Sequence, residues 1–262
     1  MSAAALPPGV RPPAVAGLFY PADPGALGEL CDQLFDAVVG PAGPWPKALV
    51  VPHAGLIYSG PIAASAYARV RGASAIARVV LLGPAHRVYV AGVGASGATA
   101  LQTPLGPVAV DESRLPLEVR SQPRAHAPEH SLEVQLPFLQ RVLPQARVTP
   151  LLTCDAPPAE VGAVLAALWG GPETLVVIST DLSHYHPYAV AQKLDRDTAA
   201  QVLALDETAL TPERACGAAG LQGLLWLARQ KGLRPVQLDL RSSGDTAGDK
   251  ARVVGYGAFA FY

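Results

Sequence analysis

Three short apolar runs in this chain each stop at a loop that carries a histidine. Lys47–Val51 precedes Pro52-His53, Val79–Leu82 precedes Gly83-Pro-Ala-His86, and Leu175–Ile178 precedes Ser179-Thr-Asp-Leu-Ser-His184. Runs of Val, Leu and Ile bounded by Gly or Pro suit strands buried on both faces, as in a parallel sheet with helices above and below. In such sheets ligands bind in the crevice beyond the carboxyl ends of the strands. A chain that repeatedly places imidazole there reads as an α/β protein with a histidine-lined site, suited to a metal.

Composition narrows the alternatives. Of 262 residues, 50% are hydrophobic and 16% charged, so much of the chain is buried and little is spare for disorder. The net charge of -1 speaks against a nucleic-acid or anionic-membrane binder, which needs a concentrated positive field. No apolar stretch approaches the roughly 18–20 residues that span a bilayer. Met1 to Val10 lacks a basic region followed by an apolar core, so no secretory signal is expected. Cys31, Cys154 and Cys216 are scattered and form neither a disulfide framework nor a Cys-x-x-Cys pattern, which points to a reducing cytoplasm.

Read in order, residues 1–22 form an extended, Pro-rich arm. A helix fits Asp23 to about Val39, with Asp23 as its cap and Leu27, Leu30, Leu34 and Val38 on one face. Strand 47–51, a helix over about Pro61–Val70 and strand Arg78–Leu82 make a β-α-β unit whose two strands should lie side by side. Short strands or a hairpin are expected in Val90–Val110, and a helix starting near Ser131 should kink at Pro137. Strand Arg147–Leu152, helix Ala159–Leu168, the third histidine-tipped strand and helix Tyr188–Leu205 follow. Thr211-Pro212 opens a last helical region packed mainly over Gly217–Lys231, before two β-like runs, Val236–Leu240 and Arg252–Tyr262. With no repeat and no composition break, one domain over 1–262 is expected.

His53 and His86 are one β-α-β unit apart, and neutral imidazole is a common ligand of Zn, Cu and Fe. Spacing leaves the third ligand open. Cys216 stands at the expected start of a helix, where free N–H groups favour thiolate, while a small buried core residue is the blander reading. Cys154 follows a strand without other distinction. Glu129 and His130 precede a helix start and read as a charge near its N-terminus. Asp181 and His184 share a loop and suit an acid/base pair, against a turn cap and a turn residue. His186 reads as a turn residue and His126 as a solvated one. Tyr58 suits either a ligand contact or loop packing.

Eight segments in order resemble the Memo family, whose prokaryotic members are also called AmmeMemoRadiSam system protein B. They are Arg11–Pro21, Val51–Gly60, Leu82–His86, Glu129–Leu139, Ser179–Tyr185, Cys216-Gly217, Ser243–Asp249 and Val254–Phe259. The resemblance implies a single three-layer αβα domain with a central, mostly parallel or mixed sheet, similar to class III non-haem iron extradiol dioxygenases. It implies that His53 and His86 bind metal, that Cys216 stands where the dioxygenases place a carboxylate, and that His184 is an acid/base histidine. A His-His-Cys set suits iron or copper, since soft ligands favour Cu(I). Animal members of the family are linked to copper-dependent oxidation and to phosphotyrosine peptides.

Two readings follow. In the first the chain is a metal-dependent redox enzyme: His53, His86 and Cys216 hold Fe(II) or Cu, His184 moves protons, Asp181 orients it and Tyr58 contacts the bound molecule. The family name also implies a modification pathway with AMMECR-like and radical-SAM proteins as partners. In the second the chain is a non-catalytic module that uses the pocket for a peptide or protein. Arg11 and the pair Phe19-Tyr20 are expected to pack the arm near the site.

Overall fold

A strand can be apolar along its whole length only if both faces of its sheet are covered, and the central strands meet that condition. The computed structural model describes residues 6–39 and 43–262; the first five residues of the arm lie outside them. The first half holds β1 (Val10–Arg11), α1 (Pro24–Asp36), β2 (Ala48–Val51), α2 (Leu56–Tyr67), β3 (Arg78–Pro84) and β4 (Val93–Ala95). It continues with β5 (Ala100–Thr103), β6 (Gly106–Ala109), β7 (Arg120–Ser121), α3 (Pro123–His126) and α4 (Leu136–Val142). Then come β8 (Arg147–Thr153), α5 (Pro158–Ala167), β9 (Thr174–Ser179), β10 (His184–His186) and α6 (Tyr188–Leu203). The chain closes with α7 (Ala218–Lys231), β11 (Pro235–Ser242) and β12 (Val253–Phe261).

The large sheet is mixed and mostly parallel, in the order β10-β12-β2-β9-β3-β8-β4-β7, with β11 paired to β12. Its centre, β2-β9-β3-β8, is wholly parallel. Helices flank it. In β2, Leu49 and Val51 face a cluster with Leu27 of α1, Ile62 and Tyr67 of α2 and Phe138 of α4. Ala48 and Val50 face the opposite cluster, with Leu165 of α5 and Leu221 and Leu224 of α7. The hairpin expected in Val90–Val110 forms as β5-β6, which takes β1 of the arm as a parallel third strand.

Several sequence expectations need correction. Strands β2 and β3 do not lie side by side, because β9 runs between them and pairs with both. Helix α1 starts as expected, with the Asp23 carboxylate accepting from Ala26 N–H at 2.8 Å, but ends at Asp36. Helix α2 starts earlier, at Leu56, and carries Pro61 inside. Around Ser131 a 3-10 turn, Glu133–Gln135, comes first, and Pro137 then falls in the first turn of α4, where its missing N–H would be unpaired anyway. Thr211-Pro212 lies in turns, with α7 beginning only at Ala218. No helix among the described residues is long and apolar enough to cross a membrane.

Candidate metal centre

The ends of three parallel strands build one site. Just past β2, His53 is almost completely buried, and its backbone N–H donates to Asp181 Oδ1 at 2.7 Å. Its ring Nδ1 lies 2.8 Å from Ser179 Oγ at the end of β9. Two residues past β3, His86 donates its backbone N–H to Glu129 Oε2 at 2.5 Å, and its Nδ1 lies 2.9 Å from Glu129 Oε1. The Glu129 carboxylate also accepts the backbone N–H groups of His130 and Ser131, each at 2.8 Å. One carboxylate thus ties the third loop of the site to the second.

That third loop delivers His130. Its ring stacks on His86, with centroids 4.7 Å apart, and meets His53 edge-on at 5.5 Å. Phe19 of the arm covers its other side at 4.8 Å. His53, His86 and His130 each offer one ring nitrogen, and these atoms all lie within 4.8 Å of one another, a cluster that can hold a metal, buried at His53 and open to solvent at His86. Glycine permits the approach: a Cβ on Gly83 would come within 2.9 Å of Ser131 Oγ and Leu132 Cδ2.

Cys216 sits beside this triad, its Sγ 3.4 Å from His53 Nε2 and 3.3 Å from the Asp181 N–H that points at it. Gly217 lets the start of α7 close on β9, since a Cβ there would stand 2.7 Å from the Ser179 carbonyl oxygen. Asp181 uses its carboxylate on the His53 loop, and the ring of His184 instead bonds the Leu182 carbonyl. Tyr58, in α2, is partly buried against the core and close enough to the buried Tyr256 phenol to influence it.

Charge at the site follows burial. Desolvation, helped by the neighbouring imidazoles of His130 and His86, pushes His53 well below the ordinary histidine range. Burial takes His130 down to about 4, so both rings are neutral at pH 7. For Glu129 burial alone would raise the value; bonding and attraction to His86 and the backbone N–H groups of Ser131 and His86 outweigh it and hold it at about 2. Asp181 is pushed up to about 7 by burial, against the N–H groups of His53 and Ala54. Burial and nearby Asp181 push the Cys216 thiol up to about 12. Bare, it is a thiol; a bound cation would favour the thiolate, because a coordinating thiol loses its proton.

These residues fit a transition metal. Neutral imidazoles whose Nδ1 atoms are held by a carboxylate or hydroxyl are the usual state of metal-ligating histidine, and N₃ and N₂S sets both suit iron, copper or zinc. Two surface cavities of about 450 and 470 Å³ lie away from the histidines, against β6 and α4 and between α6 and β11, and neither gathers ligating side chains of this kind.

Sequence reasoning placed His53, His86 and Cys216 correctly at strand ends and helix start, but missed His130, Glu129 and Ser179. Neither Glu129 nor His130 follows a strand, so a search for histidine-tipped strands passes over them. The adjacent acid and imidazole, in a segment that carries the family resemblance, were the available signal. His126, read as solvated, is 4% exposed and bonds the Gly94 carbonyl at 3.1 Å.

Comparison with known proteins agrees along the whole chain. The model of the family described as Memo-like protein matches residues 11–260. A MEMO1 family protein of Methanopyrus kandleri is 37% identical, over 96% of this chain and 98% of the relative. One from Ignicoccus hospitalis is 34% identical over the same shares, and one from Sulfolobus acidocaldarius is 34% identical over 94% and 97%. Built around this histidine cluster and matched from Arg11 to Ala260, the chain belongs to the Memo-like protein family.

Proposed function

We propose that the chain is a metal-dependent redox enzyme of one domain, with iron or copper held by His53 and His86 and completed by Cys216, His130 or both. The observation that carries this reading is three imidazoles within 4.8 Å of one another, with a thiol 3.4 Å from one of them. The metal would supply electron transfer and oxygen chemistry that no side chain here provides. His53 and His86 bind, Glu129 and Ser179 hold their rings, and the arm shields His130 from water through Phe19. His184, its basicity lowered by burial, is neutral near pH 7 and suited to accept a proton from a bound molecule. Asp181 shapes the His53 loop, and Tyr58 stands close enough to contact an organic ligand. A likeness to extradiol dioxygenases in three-layer architecture, action in the cytoplasm, and work beside AMMECR-like and radical-SAM proteins belong to the same reading.

The test is metal analysis and Fe(II) or Cu(I) titration of tag-free protein purified without oxygen, beside His86→Ala, His130→Ala and Cys216→Ser. Stoichiometric metal, lost in His86→Ala, is the expected result, and the other two variants divide the N₃ set from the N₂S set. Binding indifferent to all three substitutions would sink the metalloenzyme.

A second reading, a peptide- or protein-binding module, is favoured by apolar side chains left in water on segments next to the site: Leu18 is 81% exposed and Ile57 62%. Partner capture that survives chelation and His53→Ala but fails in Ile57→Asp would establish it.

A further inference from the structure

Around the histidine cluster the hydrogen bonds can be followed proton by proton. The Ser179 hydroxyl has one proton, and it goes to the Ser131 carbonyl at 2.7 Å, an oxygen that can only accept. The same Oγ accepts from Gln135 Nε2 at 2.8 Å. Gln135 cannot be turned over, because its Nε2 also donates to the Pro52 carbonyl at 2.9 Å and its Oε1 accepts from the Tyr67 hydroxyl at 2.9 Å. With its proton committed, Ser179 Oγ can only accept from His53 Nδ1, 2.8 Å away. The proton of His53 is therefore on Nδ1, and the lone pair is on Nε2.

Glu129 imposes the same order on His86. Its Oε1 accepts backbone N–H groups from His130 and Ser131 and lies 2.9 Å from His86 Nδ1 and 3.2 Å from His130 Nδ1. A nitrogen lone pair facing that oxygen would be repelled, so His86, whose contact has hydrogen-bond geometry, turns its Nδ1–H toward it. His126 is the built-in contrast. Its Nε2 faces the Gly94 carbonyl at 3.1 Å and must carry the proton, which is the tautomer histidine prefers in water.

We propose that Ser179 and Glu129 are positioning residues that lock His53 and His86 in the Nδ1–H tautomer, so that the Nε2 lone pair of each is free for a ligand before any cation arrives. The proposal rests on the metal-centre reading for its purpose, but the tautomers can be measured without metal. Both rings are fixed in rotation with a proton held on Nδ1, so uptake requires no ring flip of either histidine.

The experiment is long-range proton–nitrogen correlation NMR of histidine-labelled, metal-free protein near neutral pH, with Co(II) titration followed by absorbance. The wild type should show His53 and His86 as Nδ1–H and His126 as Nε2–H. Ser179→Ala should release His53 from that tautomer and weaken Co(II) binding about 10- to 100-fold, the range for losing such a partner. Ser179→Thr, which keeps the hydroxyl, should restore both. Wild-type His53 or His86 found as Nε2–H would overturn the proposal. So would a Ser179→Ala protein of lower thermal stability with tautomer and affinity unchanged, since that is a merely structural role. Nδ1–H rings in a wild type that takes up no Co(II) would support the lock and sink the metal-centre reading instead.

Discussion

Glu129 and Glu133 stand four residues apart, 2% and 1% exposed, and each gathers several donors around one carboxylate. Their partners differ. Glu133 faces the arm: it accepts from Arg11 Nη1 at 2.5 Å, from the backbone N–H groups of Ala14 and Val15 at 2.7 and 2.9 Å, and from the Tyr20 hydroxyl at 2.5 Å. Glu129 faces two imidazoles. A buried carboxylate closed off by a guanidinium and backbone amides fastens chain to chain. One that faces ring nitrogens leaves a second nitrogen on each ring free for a ligand. Arg11 links the two regions, because its other donors reach the carbonyls of His126, Ala127 and Glu129.

The largest effect should come from breaking the fastening. Glu133→Ala leaves the Arg11 guanidinium buried without its carboxylate, a loss of about 3–5 kcal/mol in denaturant unfolding. A loss within experimental error of zero would mean that the arm is not anchored there.

Acid should come next, through His126 at the end of α3. Burial is the leading cause that takes it down to about 4, with nearby Arg11 adding to the effect. Its pKa in the fold lies below the unfolded value of 6.5, so its contribution is complete above pH 6.5 and is lost as pH falls toward 4. About 3 kcal/mol is at stake, from 1.36 kcal/mol per pH unit. Unfolding measured across that window should show the slope in the wild type and a shallower one in His126→Gln; equal slopes would exclude it.

The comparison itself is sharpened by paired isosteres. Glu129→Gln should weaken metal binding about 10- to 100-fold, whereas Glu133→Gln should leave affinity nearly unchanged while lowering stability. Equal losses of affinity, read by Co(II) titration, would erase the distinction between the two carboxylates. The smallest effect is expected at the surface, where Arg141 of α4 pairs with Asp32 of α1 and both side chains are well exposed. Arg141→Ala should cost about 1 kcal/mol or less, and less still in high salt.

Local pattern made part of this legible. Asp23-Pro24 marks the start of α1 by chemistry within one turn, and the Gly- and Pro-bounded apolar runs mark β2, β3, β8 and β9 because burial on both faces requires apolar side chains at every position. His53 and His86 could be picked out for the same reason, since each directly follows a run of that kind. His130 follows none, and its loop is brought in by Glu129 bonds to His86, 43 positions away.

By itself, then, the sequence determined which segments are buried strands, that a mostly parallel sheet forms, and that imidazoles gather at its carboxyl end. Tertiary structure decided that β9 slots between β2 and β3, putting Ser179 against His53, and that the arm covers His130. It also decided which nitrogen of the His53 and His86 rings carries the proton. Periodicity reports how deeply a residue is buried, whereas strand order and the direction of a hydrogen bond depend on partners far along the chain, which no local pattern encodes.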